Sequence, residues 1–328
     1  MNKVKLAIPN GHLSKATLDT FARAGYKISG QERTYTPIIN DHHIEVRVLR
    51  PQEIPNFVAE GLQDVGVTGK DWLYETGSEV DILLDMEYSQ VKLVLAIPES
   101  LDGVFSLTEL IQTYSEENKQ LRIFTEYLTL TKNLIQNNEA YRKYYGEEEL
   151  VTVTPWWKKG ENSRIGVYLS FGATEAKPPM LADAIIEVVD TGTSLQQNGL
   201  KIIEVLMEST AVLIANRKSI KDQNKREKIF DIMTLLSGVV EARKKLHIFA
   251  NVKRENLNVL LEKLPALRKP TICSLSDEEW VAINTIVDRT LFLELVPTLR
   301  KLAQGLVVYE PRQVLPLDTL ILGGNRYD

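Results

Sequence analysis

Two apolar runs near the amino terminus are each closed by a proline and give way to helical spacing, and a third ends in a glycine turn. Val4–Ile8 breaks at Pro9-Asn10-Gly11, after which Leu13, Thr17, Leu18 and Phe21 follow at helical spacing until Gly25. Ile44–Leu49 alternates as a strand. Pro51 sits at the predicted start of the next helix, where its missing N–H costs nothing. Ile54, Phe57 and Val58 form that helix's stripe and Gly61 closes it. Asp64-Val65-Gly66-Val67-Thr68-Gly69 reads as a third strand running into its turn. Strand, helix and strand in this rhythm point to crossover connections and an α/β sheet.

The pattern continues. Val91–Ile97 and Leu121–Phe124 read as strands, and 125–137 as a helix. Residues 138–164 are rich in Tyr, Glu and Lys and hold Pro155-Trp156-Trp157-Lys158-Lys159-Gly160; they read as a short helix, a strand and an exposed hairpin or loop. Alternation returns at Ile165, Val167 and Leu169, and 182–189 is strongly strand-like. Apolar strands follow at 202–207 and 211–215. A charged linker, Arg217–Arg226, marks a boundary. Beyond it an amphipathic helix (Ile229, Ile232, Met233, Leu236, Val240) precedes a compact βαββαβ order, the ferredoxin-like split motif.

Composition removes several classes. A chain of 328 residues holds about two or three domains. Its 39 Lys+Arg against 44 Asp+Glu give a net charge of -5, which weighs against a generic nucleic-acid binder. No run approaches the roughly 20 apolar residues of a membrane helix, and the short opening apolar run does not read as a signal peptide. The single cysteine, Cys273, allows no internal disulfide, fits a reducing compartment and is expected to be buried in a strand. Four histidines and one cysteine cannot make a Cys-rich zinc site.

The most chemical segment is Ala182–Leu195. An apolar strand delivers Glu187 and Asp190, then Thr191-Gly192-Thr193-Ser194 opens a helix. Free N–H groups and hydroxyls in such a turn suit a phosphate, and the carboxylates suit sugar hydroxyls. An N-cap at Asp190 or Thr191 is the plainer use of the same residues. Asp64, Thr68, Gly69 and Lys70 stand at a strand's carboxyl end, where open α/β sheets bind ligands, or form an ordinary βα turn. Neither a Walker A nor a dinucleotide fingerprint is present. Asn10, Gly11 and His12 form another strand-to-helix turn. Tyr127 could stack on a base or pack in the core, and Glu175 could contact a purine or cap a helix. The Trp156-Trp157-Lys158-Lys159 patch reads as a packed or subunit-facing loop rather than a nucleic-acid surface.

Taken in order, these segments resemble the long form of ATP phosphoribosyltransferase, the first enzyme of histidine biosynthesis. The resemblance rests on Leu6–Gly11, Leu49-Arg50-Pro51-Gln52-Glu53-Ile54-Pro55, Gly61–Asp71, Arg122–Tyr127, Ala182–Leu195 with Gln197-Asn198-Gly199-Leu200, Leu264-Pro265-Ala266-Leu267 and Lys269-Pro270-Thr271-Ile272. It implies an α/β fold: a two-lobed catalytic region like a periplasmic solute-binding protein, and a ferredoxin-like (βαββαβ) carboxyl-terminal domain. Lobe I is expected at 1–92 and 202–218, lobe II at 93–201, and an ACT-like regulatory domain at 225–328. The implied reaction joins ATP and phosphoribosyl pyrophosphate with Mg²⁺ as cofactor, releasing pyrophosphate, under feedback inhibition by histidine. By position, Thr191, Gly192, Thr193 and Ser194 would hold the 5′-phosphate, with Glu187 and Asp190 facing the ribose. Asn10, Gly11, His12, Tyr127 and Glu175 would approach ATP, and Asp64, Thr68, Gly69 and Lys70 would line lobe I's edge. Thr271 would lie in the histidine site. The resemblance further implies a cytoplasmic homo-hexamer built from dimers, with no nucleic-acid or membrane partner.

The chain departs from the family's pattern in places. His12 stands where a basic residue is usual, Glu187 where Asp is usual, and Leu128 where Pro commonly follows the tyrosine. Residues 138–164 exceed the usual connection by roughly 20 residues, an unusual loop length, and Lys177-Pro178-Pro179 is atypical. Two other readings share the fold: a non-catalytic two-lobed sensor, and a regulatory subunit for a separate catalytic chain. The acid-plus-Thr-Gly-Thr-Ser turn argues for the enzyme.

Overall fold

The structure, a computed structural model, describes residues 3–31, 34–264 and 270–315. It divides into two compact units. One comprises Lys5–Ser14 and Arg47–Ser219; the other comprises the described residues of Met1–Val4, Lys15–Val46 and Ile220–Asp328.

In chain order the first elements are β1 (Val4–Pro9), α1 (Ser14–Ala24), the short pair β2 (Ile28–Ser29) and β3 (Ile38–Ile39), β4 (Ile44–Leu49), α2 (Ile54–Ala59), β5 (Val65–Gly69), α3 (Lys70–Thr76) and β6 (Asp81–Asp85). The proline at the α2 start is Pro55, buried in the first turn; Pro51, expected there, lies in the preceding turn. Then follow β7 (Val91–Pro98), α4 (Leu107–Glu116), β8 (Leu121–Thr125), α5 (Leu128–Gln136), α6 (Glu139–Tyr145), β9 (Leu150–Val153), β10 (Lys158–Lys159), β11 (Asn162–Leu169), β12 (Ala184–Val189), α7 (Thr193–Gln197), β13 (Leu200–Ser209) and β14 (Ala211–Ala215). Helix α5 starts three residues later than its apolar spacing suggests, because Leu121–Thr125 pairs as a strand and 126–127 turn the chain.

Two sheets result. A five-stranded sheet has the order β4-β1-β5-β14-β6, and a seven-stranded sheet the order β10-β9-β11-β8-β12-β7-β13. In the second, β9, β11, β8 and β12 run parallel; β7 runs antiparallel to β12, and β13, antiparallel to β7, again shares the direction of the first four. Strand β13 pairs along β7, so residues 202–209, expected with lobe I, belong to the seven-stranded sheet; only β14 returns to the first sheet. Leu93, Leu95, Ile97, Leu110, Ile111, Ile123, Ile135, Tyr141, Ile165 and Ile186 are buried in one core around the second sheet. Gly66 lets α2 sit tightly on β5: a Cβ there would lie 2.6 Å from Ile54 Cγ2.

One buried carboxylate ties the two sheets. Asp71, on α3, accepts hydrogen bonds from Tyr127 Oη (2.7 Å) and Ser209 Oγ (2.6 Å). The Tyr127 ring is 2% exposed and stacks on Trp72 with centroids 4.5 Å apart. Glu75, a turn further along α3, accepts the N–H groups of Thr129 and Leu130 (2.9 Å each), satisfying free donors at the α5 start. Burial holds the Glu75 carboxyl above its ordinary range despite these donors.

The other unit contains α1, α8 (Arg217–Lys221) in part, α9 (Gln223–Arg243), β15 (Lys245–Lys253), α10 (Arg254–Lys263), β16 (Thr271–Ser274), β17 (Trp280–Asp288), α11 (Arg289–Leu302) and β18 (Ala303–Tyr309). The expected βαββαβ order is present, with sheet order β16-β17-β15-β18. Alternate residues Leu246, Ile248, Ala250 and Val252 bury one face of β15 against Leu260, Leu295 and Leu299. Cys273 is exposed, not buried: β16 is an edge strand whose residues all face solvent. Residues 265–269 of the tail resemblance, and 316–328 of the expected regulatory domain, lie outside the described residues.

Tyr127→Phe removes a donor from a buried carboxylate without opening a cavity. It should cost about 1.5–3 kcal/mol of stability, read from denaturant midpoints at unchanged m-value. A change of a few tenths would show that the hydroxyl does not support the junction.

Candidate active site

The site begins at the β12 carboxyl end. Its first residues are buried against β7 and β8; the last three, Glu187–Val189, emerge partly exposed. The strand's root is fixed by Arg122, whose Nε and Nη2 donate to the two carboxylate oxygens of Asp183 at 3.0 and 3.1 Å. The chain then turns at Gly192, with φ +78°, a conformation that favours glycine; a Cβ there would also approach Ile202 Cδ1 to 3.3 Å. Thr191 and Thr193 hydroxyls are 2.9 Å apart, and α7 starts at once.

Facing this turn are the ends of two neighbouring strands. Glu126 follows β8 and accepts the Gly172 N–H at 2.8 Å. Gly172 and Ala173 follow β11 with φ +70° and +48°, a left-handed pair that is strained at Ala173. Lys177 Nζ clamps this loop through Ser170 Oγ (2.5 Å) and Gly172 O (3.2 Å). Ser194 Oγ donates to Glu175 Oε1 at 2.8 Å.

Together these residues enclose a pocket of about 430 Å³, lined by Glu126, Gly172, Ala173, Glu175 and Glu187–Leu195. Burial pushes the Glu187 carboxyl above its ordinary range; the Thr174 hydroxyl and the Val188 N–H oppose this, while the charges of Glu126 and Glu175 add to it. The pocket thus pairs a turn rich in N–H and hydroxyl groups, of the kind that suits an anion, with carboxylates able to accept hydrogen bonds from hydroxyls.

Of the residues singled out from sequence, the pocket gathers Glu175, Glu187, Asp190, Thr191, Gly192, Thr193 and Ser194. The others lie elsewhere. Asn10, Gly11 and His12 form the turn after β1, with Gly11 and His12 exposed. Asp64 is buried and accepts the Lys5 N–H (2.9 Å) and the Ser219 hydroxyl (2.6 Å). Thr68 is buried and donates to Pro51 O at 2.8 Å. Gly69 precedes α3 where a Cβ would meet Asp71 Oδ1 at 2.1 Å, and Lys70 pairs with Asp85 at 2.6 Å. Tyr127, offered as a base-stacking ring, is buried with its hydroxyl on Asp71, which leaves no face for a ligand. Thr271 is exposed on β16, opposite Asn284. The residue missed is Glu126. Alternation along β8 puts Thr125 inward, so the next side chain at the strand's end turns toward the edge where ligands sit.

Fold and site define a class: an α/β protein with a Thr-Gly-Thr-Ser turn and carboxylates at the carboxyl ends of parallel strands. The model of the family described as "ATP phosphoribosyltransferase" matches residues 50–238, and that of the "HisG, C-terminal domain" matches 242–312. An ATP phosphoribosyltransferase of Chlorobaculum parvum is 39% identical over 96% of this chain and 98% of its own length. One of Chlorobium chlorochromatii is 40% identical over 96% and 98%. The solved ATP phosphoribosyl transferase (HisG:HisZ) complex from Thermotoga maritima shares the fold, with a TM-score of 0.55 and 22% identity over 73% of this chain and 98% of that one. The chain belongs to the ATP phosphoribosyltransferase family and so to the transferases of histidine biosynthesis.

Glu187 also gives a pH test. Its folded-state pKa is raised, so the ionised carboxylate is disfavoured in the fold, and the stability of the protonated form is lost as pH rises through that pKa. Glu187→Gln should therefore melt above the wild type at pH 8. The gap should close by about pH 4, where the unfolded carboxyl is itself protonated. Calorimetry at both values reads it; an equal gap at both would contradict the burial argument.

Proposed function

We propose that the chain condenses ATP with phosphoribosyl pyrophosphate, giving N1-(5-phosphoribosyl)-ATP and pyrophosphate, the first step of histidine biosynthesis. The observation that carries this is the pocket in which Thr191–Ser194 meets Glu187 and Asp190. In this reading the turn's N–H and hydroxyl groups take the 5′-phosphate, and Asp190 and Glu187 accept hydrogen bonds from the ribose hydroxyls. Adenine N1 attacks the anomeric carbon as its bond to pyrophosphate oxygen breaks, and the electron pair leaves with pyrophosphate. Little covalent work falls to the protein: it positions the two substrates and stabilises charge on the sugar. Glu175 leaves Ser194 when the phosphate arrives, since both cannot occupy the same hydroxyl.

Magnesium fits this donor set. Glu126, Glu175, Glu187 and Asp190 are hard oxygen donors of the kind Mg²⁺ takes. Among the described residues no group of three or more His, Cys, Asp or Glu is placed to hold an ion unaided, so the substrate's pyrophosphate would supply the remaining ligands. Bound there, the ion neutralises the leaving pyrophosphate.

The remaining expectations belong to the same proposal: a carboxyl-terminal domain that binds histidine and inhibits the reaction, with Thr271 near its site, and a cytoplasmic homo-hexamer built from dimers. The βαββαβ order of that domain supports a regulatory module. Among the described residues no helix is long and apolar enough to cross a membrane.

Purified protein with ATP, phosphoribosyl pyrophosphate and Mg²⁺ should yield phosphoribosyl-ATP and pyrophosphate, and added histidine should slow it. Thr191→Val and Glu187→Gln should each lower kcat/KM by roughly 10²–10³-fold. Unchanged turnover in both variants would overturn the site. No product from folded wild type that still binds ATP would favour a sensor.

A further inference from the structure

Four adjacent parallel strands end on one edge of the seven-stranded sheet, in the spatial order β9, β11, β8, β12. Their carboxyl ends deliver, in that order, Thr154–Trp157, Phe171–Ala173, Glu126 and Asp190–Ser194. The last three groups contribute to the pocket. On the β9 side the edge continues as two aromatic rings. Trp156 and Phe171 are 73% and 67% exposed, and meet edge to face with centroids 5.8 Å apart.

These rings are exposed but held. Thr154 Oγ1 accepts the N–H groups of Trp156 (3.3 Å) and Trp157 (3.1 Å), and the Thr154 N–H donates to Trp157 O at 2.9 Å, closing a tight turn. Phe171 leads directly into Gly172, whose N–H and carbonyl are fixed by Glu126 and Lys177. Two large apolar rings kept in water on a braced rim beside a pocket mark a contact surface rather than core.

We infer that Trp156 and Phe171 stack on the purine ring of the nucleotide substrate and so hold it. The inference rests on the phosphoribosyl-transfer reading. There the 5′-phosphate lies on the turn after β12 and the ribose beside Glu187 and Asp190, so the attacking base lies one sugar further from the turn. From the turn the pocket extends past β8 and β11, where Glu126, Gly172 and Ala173 line it. The base therefore lies toward β8 and β11. Phe171 stands two strands from β12, about 10 Å away at the usual strand spacing, and Trp156 one strand beyond. Tyr127, another aromatic near this edge, is buried and bound to Asp71. The indole and phenyl faces take a purine without hydrogen-bond readout.

The test is calorimetric titration of the full chain with ATP and, separately, with phosphoribosyl pyrophosphate. Trp156→Ala and Phe171→Ala should each weaken ATP binding about ten-fold and leave phosphoribosyl pyrophosphate within about two-fold, and Trp156→Phe should recover most of the loss. Both alanine variants binding ATP like an active wild type would overturn the stacking role alone; a shift in their sedimentation would then assign the rings to contact between copies. Equal loss for both substrates would also overturn it. Wild type that binds ATP through these rings yet forms no phosphoribosyl-ATP would sink the transferase reading and leave the stacking role standing.

Discussion

The buried Asp71 carboxylate is the constraint on which the catalytic region depends. A carboxylate removed from water costs several kcal/mol unless its oxygens are hydrogen-bonded. Here one oxygen takes the Tyr127 hydroxyl and the other the Ser209 hydroxyl, and both donors belong to segments of the seven-stranded sheet while Asp71 belongs to the helix after β5. Satisfying that one group requires the two sheets to meet. The junction constrains the backbone as well: Gly69 must be glycine because a Cβ would occupy the Asp71 oxygen's place. Trp72 and Glu75, further along the same helix, stack on Tyr127 and cap α5, so α3 holds the second sheet by three successive contacts.

With the junction held, the site is a consequence of strand direction. Parallel strands β8, β11 and β12 end on the same edge, so residues far apart in sequence, Glu126, Gly172 and Thr191, come together without any further folding. The positive-φ residues Gly172, Ala173 and Gly192 fold the loops back over that edge. The result gathers carboxylates together with N–H and hydroxyl donors in one pocket. This suits a substrate with a phosphate at one end and hydroxyls in the middle. The Glu175–Ser194 hydrogen bond occupies a donor that an arriving phosphate would claim.

Much of this was legible in the sequence where local chemistry and long-range placement agree. The Ala182–Leu195 segment could be read as strand, acid pair and turn because each residue's local preference agrees with its place in the strand and the pocket. The βαββαβ order followed from periodicity alone. Tyr127 misled because its neighbours in sequence, Thr125 and Glu126, reach the edge, whereas the ring is turned inward by a carboxylate 56 positions away that no local pattern reveals. Asp64 and Lys70, residues suited to a ligand, have partners in the fold that no sequence pattern reveals, Ser219 and Asp85. Cys273 sits in an apolar strand pattern, but β16 is an edge strand, and only sheet order shows that its face is open.

The account's central claim is that the turn after β12 receives the phosphoribosyl group. Hydrogen–deuterium exchange of the full chain, with and without phosphoribosyl pyrophosphate and Mg²⁺, addresses it directly. The account predicts slowed exchange at the amides of 191–195 and of 172–173, with β16 and the turn at 10–12 unchanged. Unaltered exchange across 191–195, with protection appearing instead at residues 10–12 or 68–70, would contradict it.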